Sequence, residues 1–123
     1  MAQSNFERLI NDIPPLGWFP RAELFSSPTI LEPLKSLSQN LGVNLYIKRD
    51  DTLPLAMGGN KVRQLEYYLG EAITQKADTI LITGSIQSNF VRLCAAAARK
   101  FGMRPIVQLE ERVSKSNIEY NRS

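Results

Sequence analysis

Apolar residues recur at helical spacing in four stretches of the chain and gather into short runs in three others, and these two rhythms predict most of its elements. Val62, Leu65, Leu69, Ala72 and Ile73 share one face of a helix running to about Gln75. Residues 88–101 are Ala-rich and apolar nearly all round, which predicts a well-buried helix stopped by Gly102. Leu34, Leu37 and Leu41 place another helix over residues 32–41, with Gly42 as its stop. Phe6, Leu9 and Ile10 mark a short amphipathic helix near the start.

The strand signals are of two kinds. Residues 79–83, Thr-Ile-Leu-Ile-Thr, are β-branched and almost wholly apolar, as for a strand covered on both faces of a parallel sheet and broken by Gly84 and Ser85. Residues 105–109 repeat that signal. Residues 44–49 instead alternate, with Leu45 and Ile47 predicting one inward face, and Asp50 and Asp51 end the run. Residues 52–59 read as a loop. Strand, helix, strand, helix, strand in this order implies parallel pairing with right-handed crossovers, hence an α/β layered fold with a parallel sheet. Pro14, Pro15, Pro20 and Pro28 make the first thirty residues a wrapping arm, with Trp18 and Phe19 as its anchors. There are no repeats or low-complexity tracts, and the polar end at residues 114–123 shows no closing element.

Composition narrows the chemistry. The 123 residues suffice for one modest core, and 43% hydrophobic and 22% charged residues match an ordinary globular domain. Fifteen basic and 12 acidic residues are spread along the chain without a basic block, which argues against nucleic acid as a partner. No apolar run approaches the ~20 residues needed to span a bilayer, and the start has no signal-peptide pattern, so a cytoplasmic location is expected. Cys94 is the single cysteine and reads as a core thiol, and histidine is absent. Ser-His-Asp and Cys-His catalysis are thereby excluded, and no cysteine-rich metal site can be built.

Two constellations can carry chemistry. Gly58-Gly59-Asn60-Lys61 stands where a loop enters a helix, and adjacent glycines permit close ligand approach. A lysine in the first helical turn faces the positive end of the helix dipole, which disfavours its ammonium form and favours the nucleophilic amine. A surface lysine after a Gly-rich turn remains the alternative; a P-loop does not, since Val62 follows the lysine. The second constellation, residues 84–89, lies between a strand end and a helix start. Free amides there can hold a carboxylate or phosphate, and Gln87, Ser88 and Asn89 add side-chain donors. Helix capping by Ser88 or Asn89 is the plainer alternative. Lys48, Arg49, Asp50 and Asp51 read as a charge cluster that ends the strand and fixes the loop before Gly58.

Taken in order, Pro28-Thr29, Leu31-Glu32-Pro33-Leu34, Lys48-Arg49-Asp50-Asp51, Gly58-Gly59-Asn60-Lys61-Val62-Arg63, Gln87-Ser88-Asn89 and Tyr120-Asn121-Arg122-Ser123 resemble the D-cysteine desulfhydrase / 1-aminocyclopropane-1-carboxylate deaminase family. The resemblance implies the fold type II arrangement of pyridoxal phosphate enzymes, in which the cofactor sits between two α/β domains. Residues 1–51 would be the arm and first elements of the large domain, and residues 52–123 the start of the small domain, with the remainder of the enzyme absent. By the same resemblance Lys61 carries pyridoxal phosphate and exchanges protons with the substrate carbon. Asn89 then bonds the cofactor's ring oxygen, Ser88 assists the substrate and is a nucleophile candidate, and Asn60 and Gln87 line the pocket. The implied substrate is a small amino acid, split by a lyase or hydrolase reaction to ammonia, a keto acid and, from a thiol, sulfide. The implied full-length form is a homo-oligomer, a dimer; the 123-residue chain by itself is expected to be inactive, and a non-catalytic remnant or a binding fragment of such an enzyme is the alternative. Gln64, Ser85 and Phe90 depart from the family pattern, where a second lysine, a glycine and a polar residue are usual.

Overall fold

A helix with one apolar face can hide it only against another element, and here two such helices pack on each other, the second of them also covering a short parallel sheet. The structure, a computed structural model, describes residues 5–111. Helix α1 (Asn5–Asp12) leads through a 3₁₀ turn at Pro14–Trp18 to β1 (Leu31–Pro33), α2 (Lys35–Leu41) and β2 (Tyr46–Lys48). Two further 3₁₀ turns, Asp50–Thr52 and Leu55–Met57, precede α3 (Lys61–Thr74), β3 (Thr79–Ser85), α4 (Asn89–Lys100) and β4 (Arg104–Glu110). Strands β3 and β4 pair in parallel, from Thr79 opposite Arg104 to Ser85 opposite Glu110, with α4 as the crossover. Strands β1 and β2 form a separate antiparallel pair with Leu31 opposite Lys48.

The core joins Val62, Leu65 and Leu69 of α3 to Leu93, Cys94, Ala97 and Ala98 of α4, closed below by Ile82 and along one side by Ala22 and Leu24 of the arm. Each fully buried Leu or Val contributes about 1.5–3 kcal/mol relative to an exposed one. The arm can lie so close because Gly70 has no side chain: a Cβ there would stand 2.3 Å from the Pro20 carbonyl oxygen.

Helix ends follow local chemistry. Gly42 adopts φ +66° after α2, and Gly102 φ +77° after α4, as their positions in the sequence predict. At the end of α4 the Gly102 and Met103 amides donate to Arg99 and Ala98 carbonyls at 3.1 and 2.9 Å. The end of α3 has the same pair of bonds, Lys76 to Ile73 and Ala77 to Ala72, but places Lys76 at φ +57°.

Several expectations are corrected. Helix α2 begins at Lys35 because Leu31–Pro33 is taken up as a strand. Strand β2 has no inward face; all three of its residues are exposed, since β1 lies beside it and no layer covers it. Strand β3 is covered on one face only, with Ile82 buried against α4 and Leu81 on the other side 73% exposed. It also runs through Gly84 and Ser85, which stay in register with Leu109 and Glu110. The α/β fold with a parallel sheet holds in β3 and β4, but among the described residues β2 stands outside that sheet, in an antiparallel pair with β1. Trp18 and Phe19 are exposed and anchor nothing in the core; Arg21 and the backbone of Ala22 and Leu24 hold the arm instead, all bonded to Glu66. Residues 114–123 lie outside the described residues.

Candidate functional site

Lys61 is the first residue of α3, delivered by a loop of unusual backbone. Ala56, Met57, Gly58 and Gly59 have φ of 43°, 65°, 65° and 131° in succession. Non-glycine residues pay roughly 1–2 kcal/mol each for that region, and such strain concentrates at functional sites. Gly58 is sterically required, because a Cβ would lie 2.3 Å from the Asp51 carbonyl oxygen. The loop closes on itself through Gly58 N–H to Leu55 O and Gly59 N–H to Asp50 O, both 2.8 Å. Arg92 of α4 reaches it from the other side, donating to the Ala56 and Gly58 carbonyls.

The second constellation is built by β3 running under the start of α4. A Cβ on Gly84 would stand 2.7 Å from Val91 Cγ2 and 3.3 Å from Ser88 Oγ, so glycine lets the strand end tuck beneath the helix. Ser88 caps α4, its Oγ accepting the Val91 amide at 3.3 Å. The capping alternative is therefore correct for Ser88, yet its hydroxyl proton stays available to donate. The amides of Asn89 and Phe90 in the first turn remain open to an acceptor.

The two constellations meet at Gly59 and Asn89. A Cβ on Gly59 would fall 3.7 Å from Asn89 Nδ2 and 3.3 Å from Leu93 Cδ1. The loop entering Lys61 thus lies directly against the first turn carrying Asn89. Asn60, Gln87 and Asn89 are exposed and Lys61 and Ser88 half-buried. Among the described residues neither Lys61 nor the Asn60 and Gln87 side chains make a hydrogen bond or ion pair, so the Lys61 amine is uncommitted.

The charge cluster does what its sequence suggests. Arg63 donates to the Asp50 carboxylate at 2.8 and 2.6 Å, Thr29 Oγ1 adds a bond at 2.7 Å, and together they hold the Asp50 carboxyl down at about 2. Arg49 bridges Asp51 at 2.8 Å and Glu32 at 2.5 Å, and Lys48 bonds the Thr29 carbonyl. The sequence motif that contains Arg63 gave it no role of its own, and Glu66 and Arg92 were passed over. Arg92 carried a signal, being a charge three residues past Asn89 in an otherwise apolar helix stretch.

A cavity of about 440 Å³ lies elsewhere, lined by residues 23–30, Thr52, Leu53, Pro54 and Lys100. None of the five sequence-predicted site residues borders it. The glycines, the uncommitted amine and the open helix amides converge on the Lys61 side, away from this surface cleft. Cys94 is buried in the core, where burial pushes its thiol up, and no metal-binding cluster exists among the described residues. No helix among them is long and apolar enough to cross a membrane.

Comparison with known proteins places this geometry in context. Residues 22–123 match the family described as pyridoxal-phosphate dependent enzyme. The chain is 49% identical over 102 residues to D-cysteine desulfhydrase of Klebsiella pneumoniae (strain 342), covering 83% of this chain and 31% of that protein. It is 48% identical over 102 residues to D-cysteine desulfhydrase of Salmonella paratyphi B, with the same coverage. A solved structure described as an ACC deaminase homologue superposes with a TM-score of 0.72 at 33% identity, over 85% of this chain and 39% of the other. The chain spans about a third of the length of the curated relatives it matches.

Proposed function

Because the chain belongs to the family of pyridoxal-phosphate-dependent enzymes, we propose that it forms the cofactor-anchoring part of a lyase acting on a small amino acid. The approach of Gly59 to Asn89, which sets the Lys61 loop against the open amides of α4, carries this reading. The residues fit the cofactor: an uncommitted amine, a glycine pair without Cβ atoms, and donors grouped at a helix N-terminus. When bound, pyridoxal phosphate supplies an electron sink for the bond to be broken. Lys61 would hold the cofactor through its amine and would afterwards move a proton at the substrate carbon. Asn89 would hold the ring side of the cofactor through its side-chain amide. Ser88, fixed by its cap, turns its hydroxyl toward the substrate, and the first-turn amides hold the substrate carboxylate. Asn60 and Gln87 line the same side.

The likeness to D-cysteine desulfhydrases supports a D-cysteine-like substrate, released as ammonia, keto acid and sulfide, and the likeness to an ACC deaminase homologue supports a cyclic amino acid as the second choice. An elimination of this kind is a lyase reaction, which replaces the hydrolase expectation. Residues 1–51 belong in this reading to the large domain and residues 52–123 to the small one, with the Asp50–Gly59 bond spanning the junction. By the same resemblance the full-length form is a homodimer, and the cytoplasm is the location this reading assigns it.

The test is spectroscopic. Pyridoxal phosphate added to the chain should produce a visible absorbance, and borohydride should then fix the cofactor's mass on Lys61. Lys61→Ala should show neither. No band and no labelled Lys61 in the parent chain would sink the proposal and leave a non-catalytic fragment.

A further inference from the structure

Arg92 takes no part in the chemistry above, yet it stands between the two constellations that supply it. It lies one turn into α4, four residues past Ser88 and three past Asn89. From there its guanidinium donates to the Ala56 carbonyl and, through Nη2, to the Gly58 carbonyl at 3.4 Å. Among the described residues no carboxylate pairs with it. Its charge is directed wholly at the backbone of one loop.

That loop needs fastening. Ala56 and Met57 are both held at positive φ, and an unrestrained chain would relax out of that region. On one side the Asp50 carbonyl accepts the Gly59 amide at 2.8 Å. On the other, Arg92 is the fastening, and it reaches from the very helix whose first turn holds Ser88 and Asn89. The guanidinium fork suits this, since its planar donors can serve two carbonyls at once.

We infer that Arg92 is a positioning residue, which sets the Lys61 loop at a fixed distance from the α4 N-terminus so that one ligand can meet both. The inference rests on the reading of Lys61 given above. It also has a consequence in the free chain, where the loop's order depends on Arg92 whether or not a cofactor binds.

The experiment compares the 123-residue chain with R92Q and R92K. Amide hydrogen exchange at Gly58 and Gly59 should quicken by about tenfold or more in R92Q, while interior amides of α4 and β3 keep their parent rates. R92K, which keeps the charge but loses the fork, should fall between, and it carries the test if R92Q unfolds. Borohydride-fixed pyridoxal phosphate at Lys61 should fall about fivefold in R92Q, with labelling of exposed Lys35 unchanged. Parent-like exchange at Gly58 and Gly59 in both variants would overturn the inference, whatever the labelling. Quickened exchange with no cofactor at Lys61 in the parent overturns the proposed function while supporting Arg92 as the loop's fastening.

Discussion

Glu66 and Arg21 form a two-pronged ion pair, with Arg21 Nε and Nη2 each donating to the Glu66 carboxylate at 2.8 Å. The same carboxylate accepts the Leu24 amide at 2.9 Å, and the Glu66 carbonyl accepts the Ala22 amide at 2.7 Å. Glu66 is 3% exposed, so these partners replace its water, and Arg21 stacks in turn over Phe6 at 4.3 Å. Removing the carboxylate strands a half-buried guanidinium and a buried amide. Glu66→Ala should therefore lower stability by about 3–5 kcal/mol in urea unfolding, with Glu66→Gln recovering part of it. A loss under about 1 kcal/mol would mean that the arm is held by its apolar contacts alone.

Asp50 makes stability fall in acid. Its carboxyl is held at about 2, below the usual 3.8, chiefly by the hydrogen bonds from Arg63. A depressed folded value means that the unfolded chain takes up the proton first as pH drops. The contribution is fully present above about pH 4 and is lost as pH falls through about 2. Arg63 is 42% exposed, so solvent screening limits the effect to about 1 kcal/mol. Urea midpoints of the parent and Asp50→Asn should differ at neutral pH and converge toward pH ~2. A gap that stays constant down to that pH would refute the assignment.

Gly58 and Gly42 both have positive φ, yet substitution should separate them. An alanine methyl at Gly58 meets the Asp51 carbonyl, whereas nothing lies within 4 Å of one at Gly42. Gly42→Ala should cost about 1 kcal/mol, the backbone term alone. Gly58→Ala should cost about 2–3 kcal/mol and abolish cofactor fixation at Lys61. Equal thermal shifts in the two variants would show that the Asp51 contact relaxes freely.

Lys76 offers the opposite case. It occupies the left-handed position that ends α3, where glycine is the usual residue. Lys76→Gly should raise stability by about 0.5–1 kcal/mol, the relief of backbone strain less the entropy that glycine adds to the unfolded chain. Thermal unfolding reads the sign directly.

Much of this was legible in the sequence because it is local. The stripe of Val62, Leu65 and Leu69 predicted α3 and its buried face, and Gly42 and Gly102 marked helix ends through their own backbone freedom. Lys61 stood out because glycines and a helix start are neighbours in the chain. What was missed depends on distant partners. Glu66 lies on the same stripe, between Leu65 and Leu69, but its charge hid it until Arg21, 45 residues away, came into view. Arg92 meets Ala56 across 36 residues. Ala56 and Met57 adopt glycine-like backbone without being glycine, so composition could not announce them. The exposed outer face of β3 was missed for another reason: β-branched residues favour a strand but do not say what covers it.

The contact between Gly70 and Pro20 bears on the far end of the same helix. Nine residues separate Gly70 from Lys61, roughly two and a half turns, so the two sit on opposite borders of the α3 face turned inward. With the Pro20 carbonyl lodged where a side chain would be, α3 cannot roll about its own axis toward the arm. The arm is a mechanical stop, and the bearing of the Lys61 amine around the helix is indexed by a residue that never comes near it.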